Sequence, residues 1–120
     1  MVVESTVVEE LKEVLEDSRV YAALIFGSFA RGEENYNDID VAVFTEGDID
    51  DLVAKVPGVF DVSRFSDLPM NIRHRVLDEG ELIYCSDEDR YYDETISFAK
   101  AYEDFRPIYE EYLRGVKARG

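Results

Sequence analysis

Seven consecutive apolar residues, Val20–Phe26 (VYAALIF), end abruptly at Gly27. The run falls far short of the ~20 residues that cross a bilayer, and its aromatic and branched residues predict a strand buried on both faces. The rest of the chain must therefore supply cover for it. Asp38–Phe44 (DIDVAVF) reads differently. There Ile39, Val41 and Val43 alternate with Asp38 and Asp40, which predicts a strand with an apolar face and a carboxylate-bearing one.

Other elements fall into place around these two. Thr6 and Glu9 fit a capping box, and Val7, Leu11, Val14 and Leu15 share one helical face. A loop with a helical turn is expected through Gly32 to Asn37. Asp48 to Val56 predicts a short helix with an acidic first turn, ending before Pro57. Gly58–Phe65 (GVFDVSRF) predicts a third strand. Pro69–Glu79 predicts a helix, capped by Ser66 or Asp67 and ended by Gly80. Glu81–Cys85 (ELIYC) reads as an edge strand. Ser86 or Asp87 then caps a long helical segment over about 87–117, kinked at Pro107. No repeat or long linker divides the chain, so residues 1–120 read as one α/β domain with a core over about 20–85.

Composition narrows the function. There are 28 Asp and Glu against 13 Lys and Arg, a formal net charge of −15. Such a surface repels a phosphate backbone and disfavours nucleic-acid binding. Residues 1–60 hold 14 acids and 4 bases, whereas 61–120 hold 14 acids and 9 bases. The lone Cys85 excludes a disulfide framework, and the lone His74 gives little support to a histidine metal site or a Ser-His-Asp triad. The N-terminal stretch, with Glu4, Glu9, Glu10 and Glu13, lacks the pattern of a signal peptide. A cytoplasmic protein without membrane association is the expectation.

The chemistry gathers in Gly27–Asp40 (GSFARGEENYNDID). Gly27 permits a positive φ and lets backbone N–H groups approach an anion, and Ser28 adds a hydroxyl. This is no Walker A loop, because Gly27-x4-Gly32 is followed by Glu33 and Glu34. Asp38 and Asp40 project from the same side of a strand, where a divalent cation relieves their mutual repulsion. An anion cradle beside cation ligands suits a nucleoside triphosphate with Mg²⁺. Arg31 either contacts phosphate or locks the loop against a carboxylate. Arg73-His74-Arg75 reads as a solvated face or a contributor to triphosphate or partner binding. Tyr102, Phe105, Tyr109 and Tyr112 form a stripe that suits the core or a subunit interface.

Gly27-Ser28-x2-Arg31-Gly32 followed by Asn37-Asp38-x-Asp40 resembles the signature of the minimal nucleotidyltransferases (MNT), small members of the DNA polymerase β-like superfamily. The family usually has Ser where this chain has Asn37, which also caps a turn. The resemblance implies a palm-like fold, a small mixed sheet of about four strands with helices mainly on one face. It implies a third carboxylate on a neighbouring strand, and Asp61 sits where that residue is expected. Asp38, Asp40 and Asp61 would then be the metal-binding and catalytic set, with Gly27, Ser28 and Arg31 on the nucleotide.

The implied activity is Mg²⁺-dependent transfer of AMP from ATP to a hydroxyl. MNT proteins are commonly paired with helical HEPT proteins as toxin–antitoxin modules, so the implied acceptor is a tyrosine of a HEPT-like toxin and the implied role is antitoxin by AMPylation. Homo- or hetero-oligomers are compatible with this. Two alternatives stand beside it: an antitoxin that neutralises by occlusion without catalysis, and transfer to a small-molecule hydroxyl such as that of an aminoglycoside.

Overall fold

The computed structural model describes residues 2–33 and 38–119. Its elements run α1 (Val2–Glu10), α2 (Lys12–Leu15), β1 (Val20–Phe26), α3 (Gly27–Ala30), β2 (Ile39–Thr45), α4 (Asp50–Val53), β3 (Phe60–Arg64), a 3-10 turn (Phe65–Asp67), α5 (Met70–Glu79), β4 (Glu81–Cys85) and α6 (Glu88–Arg119). The strands form one mixed sheet in the order β3-β2-β1-β4. β1 pairs antiparallel with both β2 and β4, whereas β2 and β3 run parallel.

The apolar run does what its composition demands. Val20 to Ile25 are buried, and their side chains divide between two clusters on opposite sides of the sheet. Val20, Ala23 and Ile25 join Ile39, Val41 and Val43 beneath Val7, Leu11, Val14 and Leu15 of the N-terminal helices and Leu52 of α4. Tyr21, Ala22 and Leu24 join Ala42, Phe44, Phe65, Val76 of α5 and Phe98 of α6. Helices thus cover both faces rather than mainly one. The reason lies in β1 itself, since a strand without a polar side leaves no face for water.

Boundaries differ from expectation at three places. Thr6 lies inside α1 rather than capping it, because the helix already begins at Val2. At α5 the N-cap position is taken by Pro69, not by Ser66 or Asp67. Its fixed φ of −57° presets the entry, and Arg73 N–H bonds back to its carbonyl at 2.9 Å. Gly80 ends that helix against the sheet, where a Cβ would run into the carbonyls of Val76 and Ile25. The Asp48–Val56 helix contracts to the single turn of α4.

The C-terminal helix is continuous through Pro107. Asp87 caps it, its carboxylate accepting the Arg90 N–H at 3.1 Å. The aromatic stripe is shared between core and solvent. Phe98 is buried, and Tyr109 accepts a hydrogen bond from Asn71 of α5 at 3.3 Å. Farther along, Ile108 and Tyr112 are 69% and 65% exposed, with Leu113 and Val116 exposed beside them. Arg73 lays its guanidinium over the Phe98 ring at 5.3 Å, and His74 stacks on Tyr102 at 4.2 Å. That trio therefore packs in part against α6 instead of forming a wholly solvated face.

Arg19 ties the start of β1 to α4. Its guanidinium pairs with Asp17 and Asp51, both at 2.9 Å, and donates to the Asp48 carbonyl at 3.0 Å. Hydrogen bonds from Arg19 hold the Asp17 carboxyl down at about 2, from an ordinary 3.8. A depressed folded value stabilises the fold above the ordinary value and loses that effect as pH falls. Arg19→Leu is therefore expected to lower stability to urea at pH 7, and its deficit against the wild type to shrink as pH drops from 4 towards 2. A deficit independent of pH would show that Arg19 acts by packing alone.

Candidate active site

Three strand ends converge where β1 leaves the sheet. Phe26, the last residue of β1, lies opposite Asp40 on β2, and Asp40 lies opposite Asp61 on β3. Gly27 and Ser28, Asp40 and Asp61 therefore occupy one end of three adjacent strands, and neighbouring strands stand about 4.8 Å apart. Asp40 shares the β2 side of Ala42 and Phe44, while Ile39, Val41 and Val43 turn to the opposite core. The parallel pairing of β2 with β3 is what brings Asp61 abreast of Asp40. An antiparallel β3 would have entered from the other direction.

Gly27 has φ +78°, outside the range comfortable for other residues, and begins the one-turn helix α3. Its missing side chain matters as much as its φ, because a Cβ there would drive into the Asp40 carboxylate. The turn and the carboxylate are thus packed against each other. Ser28 sits half-buried on α3. Asn37, expected to cap the approach to Asp38, lies outside the described residues.

Electrostatics mark Asp40 as the centre. Burial pushes its carboxyl above the ordinary 3.8, and the negative charges of Asp61 and Asp38 push it further, against a smaller opposing pull from Arg31. Asp38 and Asp61 are exposed, so the cluster opens to solvent on either side of Asp40. Among the described residues no group of three or more His, Cys, Asp or Glu side chains is already gathered closely enough to hold an ion. The negative charges of Asp38 and Asp61 nonetheless reach Asp40, the repulsion that a shared cation would relieve. The donor set is entirely oxygen, which fits a hard cation such as Mg²⁺.

Arg31 pairs with two carboxylates of its own chain. Its Nε donates to Glu33 at 2.6 Å, and its Nη1 reaches Glu79 at the end of α5 at 3.5 Å. Both carboxylates raise its pKa. Glu79 is the contributor that the sequence reading left without a role. Its only sequence signal is a position just ahead of Gly80, where α5 is forced to stop.

Residues 9–89 match the family described as polymerase beta nucleotidyltransferase, and this chain belongs to that family. No curated protein matches it by sequence. Solved structures agree on the fold at low identity. A chain of a toxin–antitoxin complex crystallised with AMP-PNP is 17% identical, with TM-score 0.69 over 94% of this chain and 97% of that one. A chain of the MntA–HepT toxin–antitoxin complex is 13% identical, with TM-score 0.67 over 94% and 95%. A chain of the complex between a tri-AMPylated HEPN toxin from Shewanella oneidensis and its MNT antitoxin is 14% identical, with TM-score 0.67 over 94% of both. The expected palm-like nucleotidyltransferase fold is what these neighbours share with the chain.

Three substitutions test the site without assuming its chemistry. A carboxyl whose pKa is raised in the fold contributes stability that is full below its ordinary value and is lost as pH rises through the raised one. Asp40→Asn is therefore expected to raise the melting temperature at pH 7 and to leave it unchanged below pH 3.8. Gly27→Ala should cost about 1 kcal/mol or more from its positive φ. Combining it with Asp40→Gly, which removes the obstructing carboxylate, should recover part of that loss. Strict additivity of the two in chemical denaturation would contradict the contact.

Proposed function

We infer that the chain is an Mg²⁺-dependent nucleotidyltransferase that moves AMP from ATP to a hydroxyl of a partner protein, a HEPT-type toxin, and so acts as its antitoxin. The observation that carries this reading is the row Gly27–Asp40–Asp61 across three strand ends. It sets a backbone turn open to phosphate beside carboxylates that repel one another. Membership in the nucleotidyltransferase family supports the class of reaction. The neighbouring complexes, one with AMP-PNP and one with a tri-AMPylated toxin, support ATP as donor and a protein as acceptor. Exposed Ile108, Tyr112, Leu113 and Val116 on α6 support a protein partner too, since a contiguous apolar strip in solvent marks an interaction surface.

In the reaction, the acceptor oxygen attacks the α-phosphorus, the bond from that phosphorus to the bridging oxygen of the β-phosphate breaks, and pyrophosphate leaves. Asp38, Asp40 and Asp61 are the residues that would hold Mg²⁺, which when bound offsets charge on the phosphate oxygens. Gly27 and Ser28 grip the leaving pyrophosphate through backbone N–H and hydroxyl donors. Asp61, more exposed than Asp40, stands where it can take the proton of the acceptor hydroxyl, a tyrosine in this reading. Arg31, braced by Glu33 and Glu79, ties the end of α3 to the end of α5.

Incubation with a HEPT-type toxin, Mg²⁺ and ATP labelled at the α-phosphate should label the toxin, whereas γ-labelled ATP should not. Asp40→Asn and Asp61→Asn should each slow labelling by about a thousandfold, as expected when several kcal/mol of charge stabilisation are lost. Absence of label, or label equal in wild type and Asp40→Asn, would overturn the enzymatic reading. Full neutralisation of the toxin by Asp40→Asn would favour occlusion instead.

A further inference from the structure

The strand that carries Asp61 is an edge strand. β3 pairs only with β2, and its other side ends the sheet. Which backbone groups face outward follows from one bond. The Val59 carbonyl accepts from Ile39 of β2 at 2.8 Å, so it points inward. Alternation along a strand then turns the N–H and C=O of Asp61 and Ser63 inward as well, and those of Val62 and Arg64 outward. The Phe60 carbonyl also faces outward, its N–H being taken by the Pro57 carbonyl at 3.0 Å. Among the described residues, the outward N–H and C=O of Val62 have no backbone partner.

A groove of about 250 Å³ runs along this edge. Its lining includes Val53 of α4, Leu68, Val62 and Arg64, together with the acids Asp50 and Asp67. With Asp61 alongside, acids predominate. Arg64 is already engaged, donating to Thr45 at 3.1 Å and lying 3.7 Å from Asp67.

We propose that the outer edge of β3 is the acceptor-docking site, and that it takes an extended, hydroxyl-bearing segment of a partner polypeptide with basic flanks as a fifth strand. This rests on the nucleotidyltransferase reading above and adds where and how the acceptor binds. Four observations converge on it: an unpaired strand edge, an adjoining groove, an acidic lining and a proposed catalytic carboxylate on the same strand. The register gives the chemistry. A residue placed opposite Asp61 directs its side chain to the face of Asp61 and Asp40, with Cβ atoms about 5 Å apart across the pair. One neighbour would exchange hydrogen bonds with Val62 and the other would donate to the Phe60 carbonyl, the main-chain recognition typical of strand addition. A hydroxyl at the middle position thereby reaches the carboxylate row without any dedicated side-chain pocket. Specificity resides in the extended backbone and the positive flanks, so tyrosine, serine or threonine at that position satisfies the site.

The probe is a dye-labelled heptapeptide, Lys-Lys-Val-Tyr-Val-Lys-Lys, and a twin methylated on both valine nitrogens. The twin keeps the charge and side chains but cannot donate to the strand. Fluorescence anisotropy without ATP should show the wild-type protein binding the first about tenfold or more tightly than the second, the weight of one or two net hydrogen bonds. Val62→Pro deletes an outward N–H that the β2 ladder does not use, and proline is tolerated on an edge. It should weaken binding of the unmodified peptide to the level of the twin, while Val62→Thr, which keeps the N–H, should bind as the wild type does. Equal binding of the two peptides by the wild-type protein, or no binding of the unmodified one, would overturn the docking site whatever Val62→Pro does to the fold. Intact, methylation-sensitive binding with no Asp40-dependent transfer of labelled AMP to the peptide tyrosine would instead count against the nucleotidyltransferase reading alone.

Discussion

Burial of β1 on both faces is the constraint from which the rest of the architecture descends. A strand with no polar side must be the interior of its sheet and must have helices above and below. β2 and β4 flank it, the N-terminal helices cover one face, and α5 with α6 cover the other. The same strand sets the site, because a strand that ends at the sheet centre delivers whatever follows it to the middle of the molecule's rim. Here that is Gly27, and the turn it makes brings backbone against Asp40.

A tension between stability and chemistry is built into that rim. Burial and two neighbouring carboxylates disfavour the charge on Asp40, and no described cation pairs with it as Asp17 and Asp51 pair with Arg19. Natural cores place such charges only where something else requires them. The contrast between the two acidic clusters is informative. One is neutralised within the chain and fastens α4 to the start of β1, whereas the other gathers like charges around a half-buried carboxylate.

Much of this was legible in the sequence, for identifiable reasons. The strands at the centre of the sheet were readable because VYAALIF and DIDVAVF have unambiguous patterns, and the Gly27–Asp40 stretch stood out through residue type and spacing. Asp61 came only through the family resemblance, since nothing in GVFDVSRF distinguishes it from any charged residue on a half-exposed strand. The structure brings it abreast of Asp40 through parallel pairing, a long-range property no local pattern encodes. Helix boundaries were less legible. The Thr6–Glu9 pair satisfies the capping rule yet lies within a helix that starts earlier, and Pro69 displaced the polar residues expected to cap α5. The cover on both faces was implicit in β1, although the helix patterns alone did not reveal which side each helix takes. The Arg31–Glu79 contact spans 48 positions and has no local signature at all.

Pro107 sits in the interior of α6 without breaking it. It has no N–H to offer the carbonyl one turn earlier, so the helical ladder is weakest there. The twelve residues beyond it extend about 18 Å and hold the exposed apolar strip. Asn71 and Tyr109 pin the helix just past the proline. The distal part is therefore a lever on a soft pivot: a bend of 10° at Pro107 carries its tip through about 3 Å, on an 18 Å arm. The carboxylate-bearing rim is fixed by β1, whereas the far end of α6 can shift by ångströms without disturbing it.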